Sequence, residues 1–371
     1  MEVNALTWII TIVVVLGFFV FDFLTHVRTP HEPTLKESAL WSAFYVGLAI
    51  AFGVFLWFTW GEPGNPHQHG LEFFAGYITE KALSVDNLFI FSLILTTFKI
   101  PRKYQQKVLL AGILMALALR GIFIWLGAAA IARWSDVFYL FGIFLLWTAA
   151  KLAYDEVTGA EETDLNDMKI IRILRKAVPV TDKVHSDRLF VREGGATGDV
   201  EGKKKSSGKG RLVVTPLFVA LLAIGFIDVL FALDSIPAIY GITSEPYIVF
   251  TANALALMGL RQLFFLLNGL LEKLVYLSYG LSIILAFIGV KLVLHALHEN
   301  NLPFINGGGN VSVPEVSVEF SLIFIVLTLA ITTVLSLTVG KKAQQKQAGV
   351  TEEPAPTHAS DAGFGKDPAG R

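Results

Sequence analysis

Apolar runs of about twenty residues recur from one end of the chain to the other, and no other feature limits the fold as strongly. A run of that length, wound as an α-helix, crosses roughly 30 Å of hydrocarbon. Inside lipid the helix also satisfies its own backbone donors and acceptors, which a lone strand or an open loop cannot do. Nine such segments are predicted, at about 5–24, 38–60, 71–98, 108–130, 135–154, 213–242, 248–270, 275–297 and 318–340. The expected fold is therefore an all-α polytopic membrane protein. Composition agrees: the 371 residues are 54% hydrophobic and 16% charged, where a soluble domain carries about 25% charged residues. The absence of cysteine excludes disulfides, thiolate metal sites and cysteine nucleophiles. The first run lacks a basic flank and an A-x-A cleavage site, so it reads as a span and not as a removed signal.

Lys and Arg set the expected orientation. They crowd the 99–107 connection (Lys99, Arg102, Lys103, Lys107), the 155–211 connection with twelve of them, and the start of the tail (Lys341, Lys342). The connections 61–70, 243–247 and 298–317 have none, and 131–134 has only Arg133. With nine spans this alternation puts the N-terminus outside and the C-terminus in the cytoplasm of a cell-membrane protein. The chain then divides into two leading spans (1–70), a three-helix unit (71–154), a charged linker (155–211), a second three-helix unit (212–297), an outer loop (298–317), a last span (318–340) and a tail (341–371). The linker mixes eleven acids with its twelve bases and reads as solvated and partly disordered, as does the tail. His67 and His69 in "GNPHQHG" read as an ordinary outer loop before they read as a weak metal site. Nothing in the charge pattern calls for nucleic acid.

Against this apolar background two stretches stand out. "GYITEKALSVDNLFIF" (Gly76 to Phe91) carries Glu80, Lys81 and Asp86, and "AIGFIDVLFALDSIPAI" (Ala223 to Ile239) carries Asp228 and Asp234. In both, two acids stand six residues apart and a small polar residue, Asn87 or Ser235, follows the second. A charge at the bilayer centre costs roughly 2.5–3.5 kcal/mol even on the lenient insertion scale. Such acids must face one another, a cation, or water inside the bundle. Six residues of unbroken helix turn about 240°, so Glu80 and Asp86 share a face only if the helix unwinds between them. Pro237 supplies a cause for a break in the sixth segment, and "SVDN" marks a possible one in the third.

The charged order repeats. After the first stretch come Arg120 ("LALRGIF") and Lys151 ("LLWTAAKLAY"); after the second come Arg261 ("MGLRQLF") and Lys291 ("AFIGVKLVLH"). The third segment runs inward and the sixth outward, so the two three-helix units form an inverted repeat, an arrangement typical of transporters that bind substrate near the midplane. Two uses compete for the acids. They can neutralise Arg120, Arg261 and Lys81 as buried pairs, or they can ligate a cation with the Asn87 amide and Ser235 hydroxyl; a mixture of both is expected. Asn253 and Asn268 are candidates for completing a shell. Lys151 and Lys291, near helix ends, are expected to reach toward the interface. An all-oxygen site suits hard ions such as Mn²⁺, Mg²⁺ and Ca²⁺.

The patterns E-K-x-L-x-x-D-N and D-x-x-F-A-x-D-S-I-P-A resemble the signature segments of the TerC/Alx family of bacterial membrane proteins, and the similarity extends over roughly residues 5–340. The resemblance implies metal-ion homeostasis, chiefly manganese export, with Glu80, Asp86, Asp228 and Asp234 handling the metal and no bound cofactor. It also implies an association with tellurium resistance, and a non-transporting assembly role is the reading from another class. No nucleophile–base pair, phosphate loop or HExxH pattern suggests an enzyme.

Overall fold

Helix starts follow from local chemistry. Asn4 caps the first helix by accepting from the Thr7 amide at 2.8 Å, and Thr34 and Glu37 form a capping box at the second. Pro216 and Pro246 each open a helix at a first-turn position, where a missing N–H is harmless, and Ser317 caps the last. The computed structural model describes residues 3–27, 33–61, 64–134, 136–158, 190–193, 211–267 and 276–340. Within them lie α1 (Ala5–Asp22), α2 (Leu35–Thr59), α3 (Gln68–Thr97), α4 (Arg102–Arg133), α5 (Val137–Thr158), α6 (Pro216–Tyr240), α7 (Pro246–Leu257), α8 (Leu260–Leu267), α9 (Leu277–His298) and α10 (Val318–Leu335).

Every predicted segment is helical. Among the described residues seven helices are long and apolar enough to cross a membrane alone, or eight if the bent pair α7–α8 counts as one span. The nine expected crossings are therefore not reached on length and composition. The missing one is α3, which spans 30 residues but carries Glu72, Glu80, Lys81 and Asp86. The linker, read as partly disordered, contributes one element among the described residues: β1 (Phe190–Glu193) pairs antiparallel with β2 (Arg211–Val214). The rest of the linker and the tail beyond 340 lie outside the described residues.

Both expected helix breaks are absent, and the break that exists lies elsewhere. α3 runs continuously through Asp86, and α6 runs through Pro237 to Tyr240. Pro237 sits in the last turn of α6, and the helix continues through it without a break. The chain breaks between α7 and α8, bending by 42°, where Gly259 takes φ +76°. That backbone favours glycine, and a Cβ there would also meet the Tyr45 side chain at 2.9 Å.

The helices pair in a regular way. α5 lies along α9, α4 along α6, α3 along α7, and α3 also touches α6. Between α5 and α9 the backbones approach closely: a Cβ on Gly142 would lie 2.9 Å from the Gly289 carbonyl oxygen, and one on Gly289 3.1 Å from that of Gly142. α4, α6 and α9 are the inner helices, with 50–56% of their apolar windows buried, against 17–22% for α1, α2, α5 and α10. The outer helices direct Ile9, Val13, Phe58, Leu140, Ile323 and similar side chains outward, as lipid contact requires. The 298–317 loop is ordered by buried Asn300, which accepts from Tyr139 at 3.0 Å and donates to the carbonyls of Ile305 and Gly309.

Candidate functional site

At the centre of the bundle α4 supplies Arg120, fully buried. Its Nε and Nη2 donate to the two oxygens of Asp228 on α6 at 3.2 and 3.1 Å, a bidentate pair. Nη1 donates to Ser235 Oγ at 3.2 Å, two turns further along the same face of α6. The same Nη1 forms an ion pair with Glu80 of α3, itself fully buried. Two carboxylates thus share one guanidinium, leaving a formal charge of −1 in the protein interior. The second Glu80 oxygen accepts no hydrogen bond, and the nearby Ser84 Oγ and Tyr77 Oη on α3 lack partners among the described residues.

Asn253 belongs to the same region. Gly76 of α3 faces Ala252, and Lys81 reaches the carbonyl of Ala256. Asn253 lies on α7 between these two contacts. It is fully buried, yet neither its amide oxygen nor its nitrogen has a hydrogen-bond partner among the described residues. A buried amide in that condition costs about 1–3 kcal/mol per unsatisfied group.

The second acid of each stretch sits apart from this cluster. Asp234 is half-buried and accepts from Thr148 Oγ1 of α5 at 3.0 Å, with Lys151 as its cationic neighbour. Asp86 is half-buried and is not a described partner of Arg120; the continuous α3 turns it away from Glu80. Asn87, next to it, is buried. Of the six residues expected to ligate metal, the structure gathers Glu80, Asp228 and Ser235 around an arginine and leaves Asp86, Asn87 and Asp234 outside. Among the described residues no group of three or more His, Asp or Glu side chains is arranged to hold a metal ion. Asn268 lies outside the described residues.

The other predicted charge partners are reassigned. Arg261 on α8 does not meet Glu80 or Asp86. Its Nε and Nη2 grip Asp22, at the end of α1, at 3.1 and 2.7 Å; Nη1 bonds to Gln106 Oε1 on α4, and Gln262 donates to Asp22 at 2.8 Å. Lys81 has no acid partner among the described residues: its Nζ donates to the carbonyls of Ala256 at 2.9 Å and Met258 at 3.5 Å. Lys151 is exposed beside the Trp147 ring, as expected of a side chain reaching outward. Lys291 instead points inward, because Ser321 on α10 offers it an acceptor at 3.1 Å.

Sequence reasoning missed Asp22, Gln106 and Thr148, and it missed Glu72. That carboxylate, buried in the first turns of α3, accepts from Gln68 at 2.9 Å and Thr243 at 2.8 Å, and lies 3.1 Å from His69 Nδ1. It opens onto a cavity of about 290 Å³ also lined by Lys291, His295 and Glu315. His67 stacks on Trp57 and bonds to its carbonyl, so the two histidines of the loop serve different partners.

Comparison with known proteins places this arrangement. Over 339 residues the chain is 45% identical to an uncharacterized membrane protein of Mycobacterium tuberculosis, covering 91% of this chain and 80% of that protein. An uncharacterized membrane protein of Myxococcus xanthus is 40% identical over 287 residues, 77% of this chain and 83% of its own. The Escherichia coli K12 protein called putative membrane-bound redox modulator Alx is 36% identical over 270 residues, 72% and 78% of the two chains. No solved structure matches. The pattern of the integral membrane protein TerC family fits residues 65–344, which include the two acidic stretches and both arginines, and the chain belongs to that family.

Proposed function

We propose that this protein exports divalent metal ions, manganese foremost, from the cytoplasm by alternating access. The observation that carries the reading is the sharing of Arg120 by Glu80 and Asp228, with one Glu80 oxygen left without a hydrogen bond among the described residues and the buried Asn253 amide of α7, which packs on α3, likewise unpartnered there. A buried carboxylate pair with a single counter-charge is one cation short, and the donor set is all oxygen and amide, suited to a hard divalent ion. In the arginine-paired state the guanidinium holds the site; substrate binding then requires Arg120 to release at least one acid. Among the described residues Asp234 accepts from the neutral Thr148 hydroxyl, lies near Lys151 and is in no arginine pair; Asp86 holds the corresponding position in the first stretch.

The inverted repeat is supported by the pairing of helices. Exchange of the two units maps α3 onto α6, α4 onto α7–α8 and α5 onto α9. The pairs α3–α7 and α4–α6 then interchange, and α5–α9 and α3–α6 map onto themselves. Two such halves rocking about a shared site give alternating access. The alternation of basic and bare connections supports a cell-membrane topology with the N-terminus outside and the C-terminus in the cytoplasm. Tellurite is disfavoured as substrate because the interior carries surplus carboxylate. The test is manganese flux into proteoliposomes, compared with magnesium and calcium, for wild type, Asp234→Ala and Asp86→Ala. Flux that is metal-selective and lost in the variants supports the assignment; equal flux in all three, or none in wild type, overturns it.

A further inference from the structure

The break between α7 and α8 leaves carbonyl oxygens that no helical N–H can reach, at the negative end of the α7 dipole. In membrane proteins with interrupted helices such ends coordinate cations. Here the ligand is already present and is part of the chain: the Lys81 ammonium, donating to Ala256 O and Met258 O. A half-buried ammonium ordinarily seeks a carboxylate, yet none is paired with Lys81 among the described residues, although Glu80 is its neighbour in sequence. The helix sends the two in different directions, Glu80 to Arg120 and Lys81 to the break.

We propose that the α7–α8 break is a monovalent-cation position, permanently filled in this protein by the tethered ammonium of Lys81. The chemistry favours a single positive charge. Two neutral carbonyls and a helix end offer partial charge only, whereas a divalent ion calls for carboxylates to offset its dehydration. The side chain also lies along a lateral cavity of about 420 Å³ whose walls are mainly apolar, with Leu263, Leu267, Leu277 and Leu329 joined by Tyr77 and Thr333. Shortening the side chain therefore uncovers both the carbonyls and a space that an ion with part of its hydration shell can enter. With the tether in place, the kink that sets the direction of Arg261 holds without any ion from solution. The position is independent of the metal-export reading, since its occupant never leaves.

The test is thermal stability of the full-length protein in detergent, in choline, sodium and potassium chloride at equal ionic strength, for wild type, Lys81→Ala and Lys81→Met. Wild type is expected to melt alike in all three salts. Lys81→Ala melts lowest in choline and recovers by several degrees, saturably, in potassium or sodium chloride, as a bound ligand requires. Lys81→Met fills the space with an apolar chain and stays salt-indifferent. Should Lys81→Ala fold only when sodium or potassium is present from extraction onward, the proposal is upheld. It is overturned if Lys81→Ala melts alike in every salt, if it folds in none while Lys81→Met folds, or if wild type shows the same salt response.

Discussion

Arg120 on α4 and Arg261 on α8 hold corresponding places in the repeated charge order of the sequence, but they are neutralised in different ways. Arg120 sits between α3 and α6 and is shared by an acid from each, Glu80 and Asp228. Arg261 turns instead to Asp22 of α1 and draws Gln106 and Gln262 into the same cluster. One arginine is outnumbered by carboxylates; the other meets a single acid with neutral donors around it. The first arrangement leaves charge unbalanced at the centre, and the second closes it. Under the proposed transport reading, function then falls to the Arg120 cluster and anchorage to the Arg261 cluster.

Removing the arginines breaks the comparison most directly. Arg120→Ala leaves two buried carboxylates facing each other without a counter-charge, and is expected to cost about 3–5 kcal/mol, read as loss of folded protein after extraction. Adding Glu80→Gln and Asp228→Asn to that variant restores the yield, because the repulsion goes with the charges. Arg261→Ala is milder, roughly 1.5–3 kcal/mol, because Asp22 keeps the Gln262 donor; thermal melts side by side with Arg120→Ala test the order. If Arg261→Ala proves the more damaging, the division into functional and anchoring arginines is wrong. Thr148→Val removes the one described hydrogen-bond donor to Asp234. It should leave the melt within about 1 kcal/mol of wild type while weakening metal affinity by about 10–100-fold, the usual effect of losing a ligand's supporting partner. Smallest in stability is Asn253→Ala. Deleting an amide that has no partner should be neutral or raise stability by up to about 1 kcal/mol, and a drop in manganese flux in the same variant would tie Asn253 to the transport path.

The helices were legible because lipid leaves so few options for an apolar run. The pairing of Arg120 with Asp228 was legible because charges in such runs are too costly to go unpartnered, whereas Glu80 joining the same guanidinium was not. What escaped notice shares a physical character. Asp22 ends an apolar run and lies outside the repeat, and its partner Arg261 is 239 positions away. Thr148 and Gln106 are neutral, so no desolvation cost marks them. Lys81 is bound by backbone carbonyls, which no side-chain pattern reveals. The helix break was sought at Pro237, the stronger breaker on paper, but it lies at Gly259, whose position beside Tyr45 required a residue without a side chain.

The paired glycines of α5 and α9 carry one more consequence. Where Gly142 meets Gly289, main chain approaches main chain, and each glycine is also a socket for a branched side chain of the facing helix, Val293 at Gly142 and Leu146 at Gly289. The crossing is thus keyed in both directions, and sliding or tilting one helix would lift both side chains from their seats. Any bulk added at either glycine expels its occupant and drives α5 away from α9.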